Sequence, residues 1–301
     1  MEAPKPIFGH LAALFTIVVW GITFISIKVL LVDFTPVEIM FYRSILALLA
    51  LFIASLPRLA PGKPLRWVLR DEWKYMAAGL CGITLYMLFQ NIALTYTLAA
   101  NVSVLVSIAP LLTALVSRFF LSEKLKANFF LGFAIAIAGI ILIAFNGSVV
   151  LKLNPLGDLL SILAALVWAF YSVLIKKISA QDHDMLRVTR KVFFYGVLFM
   201  LPILPLFDFR LGVERLVNLP NLLNLLFLGI GASALCFVTW NYAVKILGPV
   251  RTSIYIYTIP LVTIIASVLA LNEPITLVAG IGIALILLGM ALSEHRKADP
   301  A

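Results

Sequence analysis

Residues 9–28 read GHLAALFTIVVWGITFISIK, and residues 157–176 read GDLLSILAALVWAFYSVLIK. Glycine, tryptophan and lysine recur at one offset: Gly9, Trp20 and Lys28 against Gly157, Trp168 and Lys176. Further along, Ala109-Pro110-Leu111 followed by Ser122-Glu123-Lys124 returns as Ile259-Pro260-Leu261 followed by Asn272-Glu273-Pro274. Gly132 and Gly139 return as Gly282 and Gly289. The chain is a duplication, and each copy holds five apolar segments. An odd number of membrane crossings turns the second copy upside down. Inverted repeats of this kind let two near-equivalent halves expose one site to either side of a membrane in turn.

Composition requires the membrane. The 301 residues are 63% hydrophobic and 12% charged, with a mean hydropathy of +1.09, more apolar surface than a water-soluble domain could keep covered. Ten runs are long enough, or nearly so, to cross a hydrocarbon core of ~30 Å as helices. The sequence predicts them at Ile7–Leu31, Thr35–Leu56, Glu72–Tyr96, Leu98–Arg118, Ala127–Phe145, Gly157–Lys177, Leu186–Phe207, Leu222–Ile246, Gly248–Leu271 and Thr276–Leu292. The predicted fold class is therefore all-α integral membrane, with ten transmembrane helices as two inverted-topology five-helix repeats. The repeats are expected at 1–147 and 148–295, with a tail at 296–301.

With the N-terminus in the cytoplasm, 18 of the 23 lysines and arginines fall on the cytoplasmic side, and Lys28, Arg43, Lys152, Arg210 and Arg215 fall opposite. The positive-inside rule then predicts a multi-pass protein of the cell (inner) membrane with both termini cytoplasmic. The net charge of +9 reads as this topology signal, and no nucleic-acid partner is expected. No phosphate-binding glycine loop, nucleophile elbow or zinc-protease pair occurs, so neither ATP hydrolysis nor enzyme chemistry is read here, and no cofactor or metal is expected. Asp182-His183-Asp184 reads as a solvated loop. Cys81 and Cys236 lie in apolar spans without ligand spacing.

On these residues the chain resembles the drug/metabolite transporter superfamily in its ten-helix EamA form. The matching marks are Trp20-Gly21 in the first helix, Pro36 and Arg43 in the second, Pro110 with the Ser122-Glu123-x-Leu125 turn in the fourth, and Gly132 and Gly139 in the fifth. The second copy departs at Ala169, after the tryptophan, and at Pro274, after the glutamate. The resemblance covers nearly the whole chain. It implies efflux or exchange of small metabolites, often amino acids, by alternating access without ATP.

A charge inside a bilayer costs ~2.5–3.5 kcal/mol on insertion scales, so each needs a reason. Arg43 stands about two turns into the second helix, and two readings suit it: an ion pair with Glu38, or a cavity-edge cation that meets a substrate carboxylate. Arg251, Tyr255 and Thr258 fall on one face of an α-helix, with Ser253, Tyr257 and Pro260 beside them; the fourth helix mirrors this second face in Ser103, Ser107 and Pro110, and Asn101 is the counterpart of Arg251. Tyr86 and Gln90 share a face with Asn91 adjacent, answered in the second copy by Trp240 and Asn241. Trp20 and Trp168 lie mid-helix, away from an interfacial belt, either packing or walling a cavity.

The expected substrate-binding set is thus Trp20, Arg43, Tyr86, Gln90, Asn91, Asn101, Ser103, Trp168, Trp240, Asn241, Arg251 and Tyr255. Pro110 and Pro260 are the expected hinges, since each removes a mid-helix hydrogen bond. Glu123 and Glu273 read as structural carboxylates at the turns that follow them. The glycines of the fifth and tenth helices predict close backbone contact, within one chain or between the copies of a homodimer. The function expected is secondary transport of a small-molecule substrate, an amino acid or related carboxylate, outward across the lipid bilayer. The alternatives are an exchanger of phosphorylated sugars or nucleotide-sugars, with Lys245 and Arg251 clamping phosphate, and a membrane-embedded enzyme acting on lipid-linked substrates.

Overall fold

The computed structural model describes residues 6–56, 69–96, 99–123, 127–144, 154–180, 184–207, 209–262 and 277–294. Within them the chain forms ten helical segments and no strand. The first repeat supplies α1 (Pro6–Leu30), α2 (Pro36–Ser55), α3 (Asp71–Tyr96), α4 (Ala99–Val106 continued by Ala109–Leu121) and α5 (Ala127–Ala144). The second supplies α6 (Pro155–Ser179), α7 (Met185–Met200), α8 (Leu219–Leu247), α9 (opening with Pro249–Ser253) and α10 (Leu277–Glu294). Helix starts follow local chemistry. Thr35 and Glu38 form a reciprocal capping box at α2, with Pro36 in the first turn. Asn154 accepts from Leu156 N and Gly157 N at α6, and Asp184 accepts from Leu186 N at α7.

Five of these helices, α1, α2, α3, α6 and α8, are long and apolar enough by themselves to cross a bilayer. The ten predicted runs are apolar throughout, but the backbone interrupts several of them. α4 is broken at Ser107-Ile108, just before Pro110. α9 tightens into a 3₁₀ turn over Ile254–Thr258, just before Pro260. α7 is only 16 residues long and continues through a turn into a 3₁₀ segment, Leu204–Phe207. α3 and α8 each widen into a π-helical stretch, Leu80–Leu85 and Phe227–Leu235, at corresponding points of the two repeats. A π-turn leaves a local excess residue, a feature frequent at functional sites.

The repeats interlock. The most extensive contacts of α1 are with α8, and those of α6 with α3. Glycines let the widened stretches approach the opposite repeat. A methyl group on Gly79 would sit 2.7 Å from Gly196 N and Val192 O of α7, and one on its counterpart Gly229 would sit 2.5 Å from Leu46 Cβ of α2. Thus the third helix of each copy is held by the first and second helices of the other.

The fifth helices pack on each other, α5 against α10. A methyl at Gly132 would lie 2.5 Å from Gly289 O, one at Gly289 the same distance from Gly132 O, and one at Gly139 2.6 Å from Gly282 O. The close contact predicted from these glycines is therefore made within one chain. The repeat boundary near 147–148, the Asn272-Glu273-Pro274 turn, Asp182, His183, His295 and the tail lie outside the described residues.

Candidate functional site

At the crossing of α1, α3, α6 and α8, three tryptophans meet. The ring centroids of Trp20 lie 5.2 Å from those of Trp168 and 5.1 Å from those of Trp240, and Trp168 and Trp240 are 5.8 Å apart. Phe237 stands edge-on to Trp20 and Trp168, while Tyr86 and Tyr171 each lie 4.9 Å from Trp168. The inverted repeat builds this cluster, because Trp20 and Trp168 hold equivalent places and close on it from opposite directions. Aromatic pairs in these tilted and edge-on geometries add ~0.5–1.5 kcal/mol each beyond area burial.

The polar atoms of the cluster divide into two groups. Trp20 Nε1 donates to Ala232 O at 2.9 Å, inside the π-helical stretch of α8. Trp168 Nε1 and Trp240 Nε1, both fully buried, have no hydrogen-bond partner among the described residues. A buried donor left unmade costs ~1–3 kcal/mol, so two in one cluster mark a place where packing alone is not the whole account.

Arg43 completes the picture. Its side chain is 4% exposed, and Nε donates to Ser233 Oγ at 3.0 Å. Glu38 is not its partner. That carboxylate binds Arg215 through both oxygens, at 2.9 and 3.0 Å, and also accepts from Thr35 N and Arg210 N. The ion pair read from proximity along α2 is overturned because Glu38 points out of the helix start into the α7–α8 connection. Among the described residues no carboxylate lies within ion-pair distance of Arg43. Tyr86 stacks on Trp168. The π-stretch of α8 carries both Ser233, which fixes Arg43, and Ala232, which fixes Trp20; local sequence patterns do not announce it. Gln90, one turn beyond Tyr86, is 4% exposed.

The two asparagines in register act as pins. Asn91 Nδ2 donates to Pro36 O at 3.0 Å, at the start of α2. Asn241 accepts from the Tyr171 hydroxyl at 2.7 Å and donates to Thr189 Oγ1 at 2.9 Å, and Thr189 in turn donates to Met185 O, at the start of α7. Each thus ties the third helix of its repeat to the second. The lysines of the opening motif behave alike: Lys28 Nζ donates to Leu94 O at the end of α3, and Lys176 Nζ to Lys245 O at the end of α8. Cations belong at helix C-termini, where carbonyls are left open.

The face expected on α9 does not form as drawn. The 3₁₀ turn at Ile254–Thr258 advances side chains by 120° per residue instead of 100°, so Tyr255 and Thr258 eclipse each other while Arg251, in the α-helical turn before them, falls out of their line. Tyr255 meets His10 of α1, hydroxyl to Nδ1, at 2.6 Å. Tyr257 turns to Phe133 of α5, away from the tryptophans. Ser103 is buried and its carbonyl accepts from Ser107 Oγ. The side chain of Asn101 lies outside the description. The Glu123 carboxylate stands near Gly248, 3.7 Å from where a Cβ there would lie, so it faces the start of α9 as well as its own turn. Lys245 lines a groove between α7 and α8, away from the aromatic cluster.

Two interlocked, oppositely turned repeats closing on an aromatic cluster and a buried arginine define a multi-pass membrane transporter of the inverted-repeat class. A family model described as the EamA-like transporter family matches residues 7–145 and again 155–294, and the chain belongs to that family. An uncharacterized transporter of Archaeoglobus fulgidus is 30% identical over 96% of this chain and 98% of its own length. The uncharacterized transporter YvbV of Bacillus subtilis is 27% identical over 98% and 94%. A protein of Streptantibioticus cattleyicolor named as a probable terminal-alkyne amino-acid exporter is 29% identical over 96% of both chains. A solved crystal structure at 21% identity overlays with a TM-score of 0.73, covering 95% of this chain and 97% of that one, and so shares the fold.

Proposed function

We propose that this transporter exports small carboxylate-bearing metabolites, amino acids foremost, across the cell membrane by alternating access. The observation that carries the reading is Arg43: a buried cation with no carboxylate in ion-pair reach among the described residues, fixed to the stretch of α8 that also fixes Trp20 of the aromatic cluster, where two indole donors have no partner among the described residues. In a bilayer such a charge is retained for work, and an anionic ligand is its natural complement. Arg43 takes the substrate carboxylate, Trp168 and Trp240 donate to it, Tyr86 and Gln90 line the approach, and Trp20 walls the cluster. Ser103, Arg251 and Tyr255 stand on the α4 and α9 side, while Asn91 and Asn241 hold the helices that carry the site. The exporter of Streptantibioticus cattleyicolor, related over nearly its whole length, supports amino acids as the class.

Pro110 and Pro260 serve as hinges, each directly after a break in its helix. The repeats divide near 147–148, and the charge count of the connections supports a cytoplasmic position for both termini. The α1–α2 turn and the α7–α8 connection, joined by Glu38 and Arg215, then face outward.

The test is uptake and counterflow of radiolabelled amino acids in liposomes, for the unsubstituted protein and Arg43→Gln. Saturable transport that the substitution abolishes supports the reading. Transport of phosphorylated sugars alone would replace it with the exchanger. Amino-acid transport unchanged in Arg43→Gln would remove Arg43 from the site.

A further inference from the structure

A groove of about 460 Å³ opens between the first turn of α7 and the last turns of α8, lined by Asp184, Met185, Leu186, Val238, Thr239, Tyr242 and Lys245. It is separate from the site described above. On α8, Val238, Tyr242 and Lys245 recur at i, i+4 and i+7, one stripe of the helix. Trp240 stands two residues from Val238, roughly 200° around the axis at 100° per residue, so the stripe and the aromatic cluster occupy opposite sides of α8. The stripe continues into Leu235, which is 49% exposed. The groove therefore opens toward lipid.

Its chemistry is graded. Asp184 ends the groove at the start of α7, where its Oδ1 caps Leu186 N at 3.0 Å. Lys245 lies across from it near the end of α8, its backbone fixed by the Lys176 ammonium on its carbonyl. Both helix ends define a membrane boundary, so one cation and one anion sit at headgroup depth. Below them Met185, Leu186, Val238 and Tyr242 present an apolar wall, with the Tyr242 ring suited to an interfacial position.

A ligand that fits carries a phosphate and an ammonium a few bonds apart, on acyl chains that run along the apolar wall. We propose that this groove is a binding site for an aminophospholipid of the phosphatidylethanolamine type, its phosphate on Lys245 and its primary ammonium on Asp184. The site is independent of the transported substrate, so its failure would leave the proposed function standing. A choline headgroup offers no N–H to Asp184, and a glycerol headgroup leaves that carboxylate facing a net anion.

The purified protein in detergent, titrated with dioleoyl phosphatidylethanolamine, phosphatidylcholine or phosphatidylglycerol and read as lipid adducts by native mass spectrometry, tests this. Phosphatidylethanolamine should be retained over the other two. Lys245→Gln should weaken its retention about fivefold, as expected for losing one cation at a membrane surface. Asp184→Asn keeps the helix cap and should lower retention of phosphatidylethanolamine while leaving or raising that of phosphatidylglycerol. Equal retention of all three lipids, or phosphatidylethanolamine retention untouched by both substitutions, overturns the proposal. A melting curve for each variant checks folding, and either variant alone suffices if the other unfolds.

Discussion

Replacing Arg43 by methionine should make the protein more stable and stop it transporting. The side chain is 4% exposed with one hydrogen bond, Nε to Ser233 Oγ. Taking an arginine out of a membrane interior recovers ~2.5–3.5 kcal/mol on insertion scales, and losing the hydrogen bond to Ser233 gives back ~1 kcal/mol. The net gain is on the order of 2 kcal/mol. A gain of that size raises the melting temperature by several degrees in a large domain. Methionine matches the arginine stem in length and adapts to the space left beside Tyr86. The assay pairs a thermal-shift measurement in detergent with counterflow in liposomes. The double variant with Ser233→Ala removes the hydroxyl that Arg43 leaves behind and should melt at least as high. A fall in melting temperature, with transport preserved, would mean that Arg43 is a strut and would refute the argument.

Other substitutions separate packing from function. Trp20→Phe should lower stability by ~1 kcal/mol, because Nε1 gives up the Ala232 carbonyl; Trp168→Phe and Trp240→Phe lose no such bond and should instead raise the KM for transport. Gly289→Ala places a methyl 2.5 Å from Gly132 O and Ala136 N, and overpacking against backbone should cost ~1–3 kcal/mol in thermal melts. Glu38→Gln should loosen the α7–α8 connection, since Arg215 loses its bidentate partner; trypsin added to right-side-out vesicles should then cut at Arg210 and Arg215 several-fold faster. Asn241→Ala strands the Tyr171 hydroxyl and takes one donor from Thr189 Oγ1 and should cost ~1–3 kcal/mol, more than Asn91→Ala, which takes one donor from the Pro36 carbonyl, already an acceptor within α2.

The duplication, the ten helices and the α5–α10 contact were legible because each is written as a recurrence: Trp20 with Trp168, Pro110 with Pro260, Gly132 with Gly282. Those signals survive translation into structure since the packing reuses the same geometry twice. What the sequence concealed are choices between partners far apart along the chain. Glu38 lies five residues from Arg43 yet binds Arg215, because the capping box turns its carboxylate toward the helix start. The π-helical stretches at Leu80–Leu85 and Phe227–Leu235 and the 3₁₀ turn at Ile254–Thr258 change which side chains share a face, and a uniform period cannot register them. Asn91 and Asn241 were recognised as a matched pair, but only the fold reveals that each pins the start of its repeat's second helix.

The exchange of third helices between repeats has a consequence for how the chain is made. α3 enters the membrane while the helices that clasp it, α6 and α7, are still unsynthesised, so the nascent first half cannot reach its final arrangement during its own translation. Assembly waits for the second half and completes as one event. Two fragments divided between the repeats should each be degraded when expressed singly and persist only when produced together in the same cell.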